Sequence, residues 1–310
     1  MPHYRLLLPA ALAAVVAVSA CSANTSGLRA VVATPAPTET VIQPSIVSAA
    51  TSESAPPAEC AIGLPASLDA LATLEANLLA AMDGYDGTWS AAVIDLGCGT
   101  ELAVNPDYTQ YTASAAKIVV IVAVLRAVEQ GRLDMPDVAP LIEEVMWHSS
   151  DWAADALNEL IEPEEVAEVL SVAEVSEATA YPYWWNGASM PAIDLARVWA
   201  ALLDGSLLGH DLAAYLLDRA SEADIPDGLE TFPPPAEIPQ LDYGQKAGYY
   251  VSDGIPYFFV GAGFLRPEDH SHPGFAITWI GTTMNEDFLD AQRRSVFPIM
   301  LGYVESTLAG

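Results

Sequence analysis

Apolar residues recur along this chain with two different periods, and the change from one period to the other predicts the order of its elements. From Leu68 to Met82 they follow helical spacing, whereas TWSAAVID (88–95) and ELAVN (101–105) are short strand-like runs joined by the Gly-flanked turn LGCGT. Helices are predicted next, over 114–130, around 141–147, and over 151–161, 164–170, 193–203 and 212–220. Aromatic and β-branched runs at 245–252, 255–265 and 275–283 predict three strands, and 286–308 predicts an amphipathic closing helix.

The run IVVIVAV at 118–124 has the β-branched composition of a buried strand, yet a helix is the better prediction. The whole segment extends from Ser114 to a stop at Gly131, which is longer than most strands. A segment that is apolar on all sides suits a helix in the middle of a domain. Arg126 interrupts the run well short of the length that a bilayer requires.

Residues 1–20 predict an export signal, with a short basic start followed by an apolar stretch at 6–18 that is too short to span a bilayer. The run VSAC at 18–21 resembles the lipobox of bacterial lipoproteins, which makes Cys21 a candidate lipid anchor. An ordinary secretory signal cleaved near Ala20 is the alternative. Either signal predicts a protein exported to the extracytoplasmic side of the membrane.

The composition after the signal predicts a tether and then a folded domain. Residues 21–58 are rich in Ala, Ser, Thr and Pro and have no periodic apolar pattern, so we predict a flexible tether there. Residues 59–310 are then expected to form the domain, with a helical insertion at about 114–225. Because an exported protein meets an oxidising compartment, we predict a disulfide between Cys60 and Cys98.

The charge balance makes binding to anionic partners unfavourable. The chain has 11 basic and 41 acidic residues, which give a net charge of −30. Such a surface repels phosphate backbones and anionic lipid headgroups, so we expect no nucleic-acid binding and no membrane contact other than through a lipid anchor.

The chain has two lysines, and each lies in a candidate motif. Ser114 and Lys117 form S-x-x-K, and at this spacing on a helix their Cβ atoms lie roughly 5–6 Å apart, close enough for an amine to take a proton from a hydroxyl. A serine at a helix start also lies near unpaired N–H groups that favour a developing oxyanion. S-x-x-K alone equally describes a capping serine beside a snorkelling lysine.

Two later motifs carry a family resemblance. S-x-x-K at 114–117 is followed by SSDWAADAL at 149–157 and by K-A-G at 246–248, the order S-x-x-K, S-D-N, K-T-G of β-lactamases and penicillin-binding proteins. The chain thus resembles the class A β-lactamase-like serine hydrolases over residues 66–308. GASMPAIDLARVWAALLDG at 187–205 looks like that family's T-T-P-x-D-L-A segment. The second motif is aligned on Ser149, because WAADAL then matches the family's TAANLL, and starting at Ser150 shifts that match by one.

The resemblance implies a fold and a set of roles. The fold would be α+β, with an antiparallel sheet of about five strands flanked by N- and C-terminal helices, plus an all-α subdomain. Ser114 would be the acylated nucleophile, Lys117 its general base and Ser149 the proton relay. Lys246 would hold the substrate carboxylate in a substrate-binding segment formed by Lys246, Ala247, Gly248, Tyr249 and Asp151, and the N–H groups of Ser114 and Tyr249 would form the oxyanion hole. No metal or organic cofactor is implied, and we expect a monomer.

Three departures from the family pattern bear on activity. Asp151 replaces the usual asparagine, and a carboxylate near Lys117 favours its ammonium form, so acylation is expected to be slow. Ala247 replaces a threonine or serine whose hydroxyl helps to bind the substrate carboxylate. Between Leu170 and Ser189 there is no E-x-x-x-N match, although Glu174 and Glu177 are present, so fast deacylation of the class A kind is not expected.

Two functions follow from these patterns. The first is a lipid-anchored serine hydrolase that is acylated by β-lactams or by D-Ala-terminated cell-wall peptides. The second is an inert protein of the same fold that binds cell-wall material. Retention of both lysines favours the first, and Asp151 with Ala247 favours the second.

Overall fold

The computed structural model describes residues 68–182, 184–222, 240–251, 254 and 256–309. The chain divides into two compact units, of which Met1–Ile42 lies outside these ranges and Gln43–Gly310 contains them all. The predicted signal, the candidate anchor Cys21, the tether at 21–58 and Cys60 lie outside the described residues and stay predictions. In the described ranges, no helix has both the length and the apolar composition needed to cross a bilayer.

The elements follow the predicted order, an N-terminal helix and hairpin, a helical region, three further strands and a closing helix. The helices are α1 (Leu68–Met82), α2 (Lys117–Glu129), α3 (Met135–His148), α4 (Asp151–Asn158), α5 (Pro163–Val172), α6 (Ala192–Leu203), α7 (His210–Ser221) and α8 (Glu286–Ala309). The strands are β1 (Thr88–Asp95), β2 (Thr100–Val104), β3 (Gln110–Tyr111), β4 (Ser189–Met190), β5 (Leu241–Gln245), β6 (Gly248–Tyr250), β7 (Tyr257–Pro267) and β8 (Phe275–Thr283).

One antiparallel sheet organises the domain, in the strand order β2-β1-β8-β7-β5, with β6 also paired to β7. β5 and β6 pair with consecutive stretches of β7, Gly263–Pro267 and Phe258–Val260. They therefore act as one edge strand interrupted at Lys246 and Ala247. At this interruption the edge of the sheet carries Lys246 and Ala247, two residues of the predicted substrate-binding segment, instead of a continuous strand.

Both faces of the sheet are covered, because side chains alternate between two cores. On β1, Ala91 and Val93 join the core formed with α1 and α8, while Ala92 and Ile94 join the core formed with the helical region. The helical region lies between β2 and β5 in the chain and contains α2 to α7. These layers confirm the predicted α+β fold with an all-α subdomain.

α2 is the buried helix predicted from the IVVIVAV run, and every residue from Ile118 to Leu125 is fully buried. Its beginning differs from the prediction of one α-helix from Ser114. Residues Ala113–Ala116 form a short 3₁₀ helix, and the α-helix starts at Lys117. Residues i and i+3 eclipse one another in a 3₁₀ turn, so the S-x-x-K spacing still places Ser114 and Lys117 on one side.

A second, two-stranded sheet was not predicted. β3 pairs with β4, joining Gln110 to Met190 and Tyr111 to Ser189. Directly after β3, both the N–H and the hydroxyl of Thr112 donate to the carbonyl of Ala188, at 3.1 and 3.0 Å. This small sheet fixes the segment before Ser114 against the loop that ends at α6.

Candidate active site

Ser114 lies in the 3₁₀ turn between β3 and α2 and is half-buried, so its side chain is open to a ligand. The residue before it, Ala113, has a φ of +46°, a left-handed conformation that a non-glycine residue adopts at a cost. Strain of this kind concentrates at functional positions, because the surrounding structure holds it there. The turn thus places Ser114 directly before the buried helix α2.

Lys117, one helical turn further on, has no exposed surface, although it is a lysine. Its Nζ donates to the carbonyl oxygen of Ser149 at 2.6 Å and to Oδ1 of Asp151 at 2.5 Å. Asp151 begins α4, and its side chain is 73% exposed. The predicted proximity of Asp151 to Lys117 is therefore present as a direct ion pair.

Ser149 connects the two lysines of the chain. It ends α3 in the left-handed conformation, with a φ of +52° and a ψ of +32°. Its hydroxyl accepts a hydrogen bond from Nζ of Lys246 at 2.9 Å, while its carbonyl accepts from Lys117. Ser150, the other candidate for the start of the second motif, instead caps α4 by accepting from the N–H of Ala153. The structure thus brings Ser149 to Lys246.

The segment from Lys246 to Tyr249 approaches the serine turn very closely. A Cβ atom built on Gly248 would lie 2.4 Å from the carbonyl oxygen of Thr112 and 3.1 Å from the backbone nitrogen of Ser114. Lys246, which is 3% exposed, also donates to the carbonyl of Ala247 at 3.2 Å. β6 therefore lies against the backbone of the predicted nucleophile, which is the arrangement that an oxyanion hole between Ser114 and Tyr249 requires.

Burial shifts the pKa of both lysines downward. For Lys246, loss of water is the largest influence and the charge of Lys117 adds to it, so its pKa falls to about 7 despite the opposing charge of Asp151. For Lys117, burial also lowers the pKa, and the hydrogen bond and charge of Asp151, followed by the charge of Asp155, act against it. The amine of Lys117 is therefore paired with a carboxylate, whereas the pKa of Lys246 lies near neutral pH.

Sequence reasoning missed two residues of this site, Asp155 and Trp185. The Trp185 ring centroid lies 4.2 Å from Nζ of Lys117, and Oδ1 of Asp155 accepts the indole N–H of Trp185 at 2.9 Å. Asp155 follows Asp151 by four residues on α4, a spacing that places both carboxylates on one helix face. This spacing was the available signal, whereas nothing local to the Trp184–Trp185 pair marks it as part of the site.

The two glutamates of the stretch between α5 and β4 do not act on Lys117. Glu174 and Glu177 are exposed, and the carbonyl of Glu174 accepts from the guanidinium of Arg197. The carboxylates that influence the pKa of Lys117 are Asp151 and Asp155. Among the described residues, no group of three or more His, Cys, Asp or Glu side chains could hold a metal ion.

Cys98 lies in the turn between β1 and β2 and is disulfide-bonded. Its partner lies outside the described residues. The predicted pairing with Cys60 therefore stays a prediction.

Known proteins are similar to this chain in a sequence segment, in overall sequence and in fold. Residues 73–141, which include Ser114 and Lys117, match the model of the β-lactamase enzyme family. The protein named "Putative lipoprotein LppW" of Mycobacterium tuberculosis is 29% identical over 196 residues, covering 58% of this chain and 60% of its own length. The chain thus spans about 60% of the curated relatives that it matches.

Solved structures share the fold at low sequence identity. A β-lactamase from Xanthomonas campestris superposes with a TM-score of 0.64 at 20% identity, over 76% of this chain and 98% of that one. A variant of the class A β-lactamase of the last common ancestor of Gram-negative bacteria gives 0.58 at 20% identity, over 74% and 97%. The chain therefore has the fold of the class A β-lactamases, a segment that matches the β-lactamase enzyme family, and a sequence similar to that of a mycobacterial protein named as a lipoprotein.

Proposed function

We propose that this protein is a serine hydrolase that is acylated at Ser114 by β-lactams or by D-Ala-terminated cell-wall peptides, and that it releases the acyl group slowly. The observation that carries the proposal is the meeting of both lysines at Ser149, through its carbonyl for Lys117 and its hydroxyl for Lys246. Two buried lysines in contact with one serine are costly for stability, because burial disfavours their charged forms. Such groups concentrate at sites where a proton is moved.

The proposed acylation uses these groups in sequence. Lys117, when neutral, takes the proton of the Ser114 hydroxyl, and the Ser114 oxygen forms a bond to the carbonyl carbon of the substrate. The backbone N–H groups of Ser114 and Tyr249 stabilise the oxyanion. The C–N bond then breaks, and the leaving nitrogen receives a proton from the Ser149 hydroxyl, which Lys246 resupplies through their 2.9 Å contact. In its ammonium form, Lys246 also attracts the substrate carboxylate.

Slow release follows from what faces the site. Deacylation needs a base that activates a water molecule, and the two glutamates of the neighbouring stretch are exposed and are not among the carboxylates that influence the pKa of Lys117. We further propose that the protein is exported and anchored to the membrane through Cys21. The VSAC motif and the relatives named as lipoproteins support this placement.

A second candidate function has one observation in its favour. The 2.5 Å ion pair between Lys117 and Asp151 stabilises the ammonium form, which cannot accept the serine proton. If this form dominates at all accessible pH values, the fold serves as a binding protein for cell-wall material.

Covalent labelling tests the proposed function directly. We expect the full-length chain incubated with a penicillin to gain the mass of the intact drug, because ring opening by Ser114 loses no atoms. The Ser114→Ala variant is expected to gain none, and Ser150→Ala, which alters the neighbouring cap, is the matched control that retains the adduct. If wild-type protein gains no mass and consumes neither several β-lactams nor a D-Ala-D-Ala peptide, the binding function replaces the enzymatic one.

Asp151→Asn is expected to raise the acylation rate by roughly 3- to 10-fold at neutral pH. Asparagine keeps an oxygen that accepts from Lys117 but removes the charge that holds it as an ammonium, so a larger fraction of the amine is neutral. The gain is limited because a base with a lower pKa is also intrinsically weaker. Stopped-flow measurement of adduct formation across pH checks this expectation.

Asp69→Asn is the control for that variant. It removes an equal charge at an exposed position in the first turn of α1, which packs on the opposite face of the sheet from the helical region, and it is expected to leave the rate unchanged. An acylation rate that falls in Asp151→Asn would show that the carboxylate assists the reaction instead of restraining it.

A further inference from the structure

Asp155 holds a pair of tryptophans beside Lys117. A single oxygen of this residue, Oδ1, accepts the indole N–H of both Trp184 and Trp185, each at 2.9 Å. Asp155 is partly buried on α4, one turn beyond Asp151. A carboxylate that accepts two indole donors fixes the positions of both rings, because each ring has only one polar atom.

Trp185 covers the amine of Lys117. The ring is 5% exposed, and its centroid lies 4.2 Å from Nζ, within the range of a cation–π contact. Among the described residues, the amine also donates to the carbonyl of Ser149 and to the carboxylate of Asp151. The complete burial of Lys117 thus depends in part on this ring.

The segment that carries the tryptophans is fixed to the serine turn at two points. The hydroxyl of Tyr181 donates to the carbonyl of Ala116 at 3.1 Å, one residue before Lys117. Beyond the tryptophans, the carbonyl of Ala188 accepts from Thr112. Asp155 provides a third attachment between these two, at the rings themselves. The position of Trp185 is therefore set relative to Ser114 and Lys117 together.

We propose that Asp155 and Trp185 form a positioning pair that keeps water away from the amine of Lys117. The inference rests on the proposed function, in which Lys117 is the base, and it identifies the residues that exclude water from that base. Trp185 acts through the amine of Lys117, which its ring contacts, and Asp155 acts through Trp185.

Loss of the Trp185 ring changes the pKa of Lys117 in two opposite ways, through hydration and through the cation–π contact, and the larger influence decides the direction of the change. Desolvation can shift the pKa of a buried lysine by several units, whereas a cation–π contact contributes roughly one unit. Removing the ring admits water, so the pKa of Lys117 is expected to rise by about one unit. The other groups facing this amine are Asp151 and Asp155 from α4, and Lys246 from between β5 and β6. Tyr181 stays neutral, because burial raises its pKa well above the usual range.

The chain allows the pKa of Lys117 to be measured without any substrate. Because Lys117 and Lys246 are its two lysines, protein labelled with ¹³C at the lysine ε-carbon gives two NMR signals. The Lys246→Arg variant leaves the Lys117 signal alone and assigns it. Titration of the full-length chain then reports the pKa of Lys117 in each variant, independently of whether the protein is acylated.

Three variants separate the influence of the Trp185 ring on the pKa of Lys117 from the influence of the Asp155 charge. Trp185→Ala is expected to raise the pKa of Lys117 by about one unit. Asp155→Asn keeps an oxygen for the two indole donors and removes the charge, whereas Asp155→Ala removes both. The pKa of Lys117 is therefore expected to be higher in Asp155→Ala than in Asp155→Asn. Trp199→Phe, which alters a buried ring of α6 that packs on Phe264 of β7, is expected to leave the pKa of Lys117 unchanged.

Two results would overturn the inference. One is an unchanged or lowered pKa of Lys117 in Trp185→Ala, and the other is the same pKa in Asp155→Ala and Asp155→Asn. Failure of the proposed function gives a different result, the absence of a Ser114 adduct in wild-type protein whatever the NMR titration shows. The two ideas can therefore fail separately.

Discussion

Replacing Lys117 by methionine is expected to lower the rate of Ser114 acylation by about 10³-fold. Loss of a positioned general base costs 10²–10⁴-fold in rate, and a 10³-fold loss corresponds to about 4 kcal/mol of activation free energy. Methionine has a similar length and no charge, so it fits a site from which water is excluded. Asp151 loses its partner but is 73% exposed, and water replaces the lost contact. We therefore expect the rate to fall while the fold remains.

An intact-mass time course with a penicillin measures the rate, and thermal unfolding checks the fold. Lys246→Met is the matched comparison, since it replaces the other buried lysine. That variant is expected to raise the penicillin concentration needed for half-maximal acylation, because it removes the ammonium that attracts the substrate carboxylate. If Lys117→Met is acylated within threefold of the wild-type rate, the base is a different group, and Lys246 acting through the Ser149 hydroxyl is then the nearest candidate.

Much of the fold could be predicted from the chain because local periodicity determines it. The bounds of α1 and β1 coincide with the predicted Leu68–Met82 and 88–95, where apolar spacing is regular. The pair β3 and β4 could not be predicted this way, since each has two residues and they lie about 80 residues apart in the chain. The 3₁₀ turn before α2 was missed for a similar reason, because no residue type distinguishes it from a first α-helical turn.

The candidate site, like the fold, could be predicted only in part. The order of the three motifs predicted which residues would meet, and Lys117, Ser149, Asp151 and Lys246 do contact one another. Trp185 could not be predicted in this way, because a tryptophan pair between two helices has no pattern of its own. Its role depends on a hydrogen bond to Asp155, thirty residues earlier in the chain. Contacts of that range depend on the packed structure.

Gly248→Ala is expected to lower the acylation rate by roughly 10²–10³-fold without removing any group proposed to react. The added Cβ would lie 2.4 Å from the carbonyl oxygen of Thr112 and 2.8 Å from the backbone nitrogen of Ala115. Both are backbone atoms on the serine turn, and backbone cannot turn aside as a flexible side chain can. β6 must therefore move away from Ser114, and the loss of one oxyanion-hole donor costs about 10²–10³-fold in rate.

The same variant tests whether the close approach of β6 serves catalysis or only packing. Overpacking of this kind is expected to lower the free energy of unfolding by about 1–3 kcal/mol. A packing role alone would give that loss of stability with acylation at the wild-type rate once the protein is folded. Gly302→Ala is the control, because a Cβ there meets nothing within 4 Å and alanine is favoured in a helix such as α8. Since Gly248 lies where the interrupted edge strand meets the serine turn, a rate loss confined to Gly248→Ala would show that the break between β5 and β6 positions the N–H groups for the oxyanion.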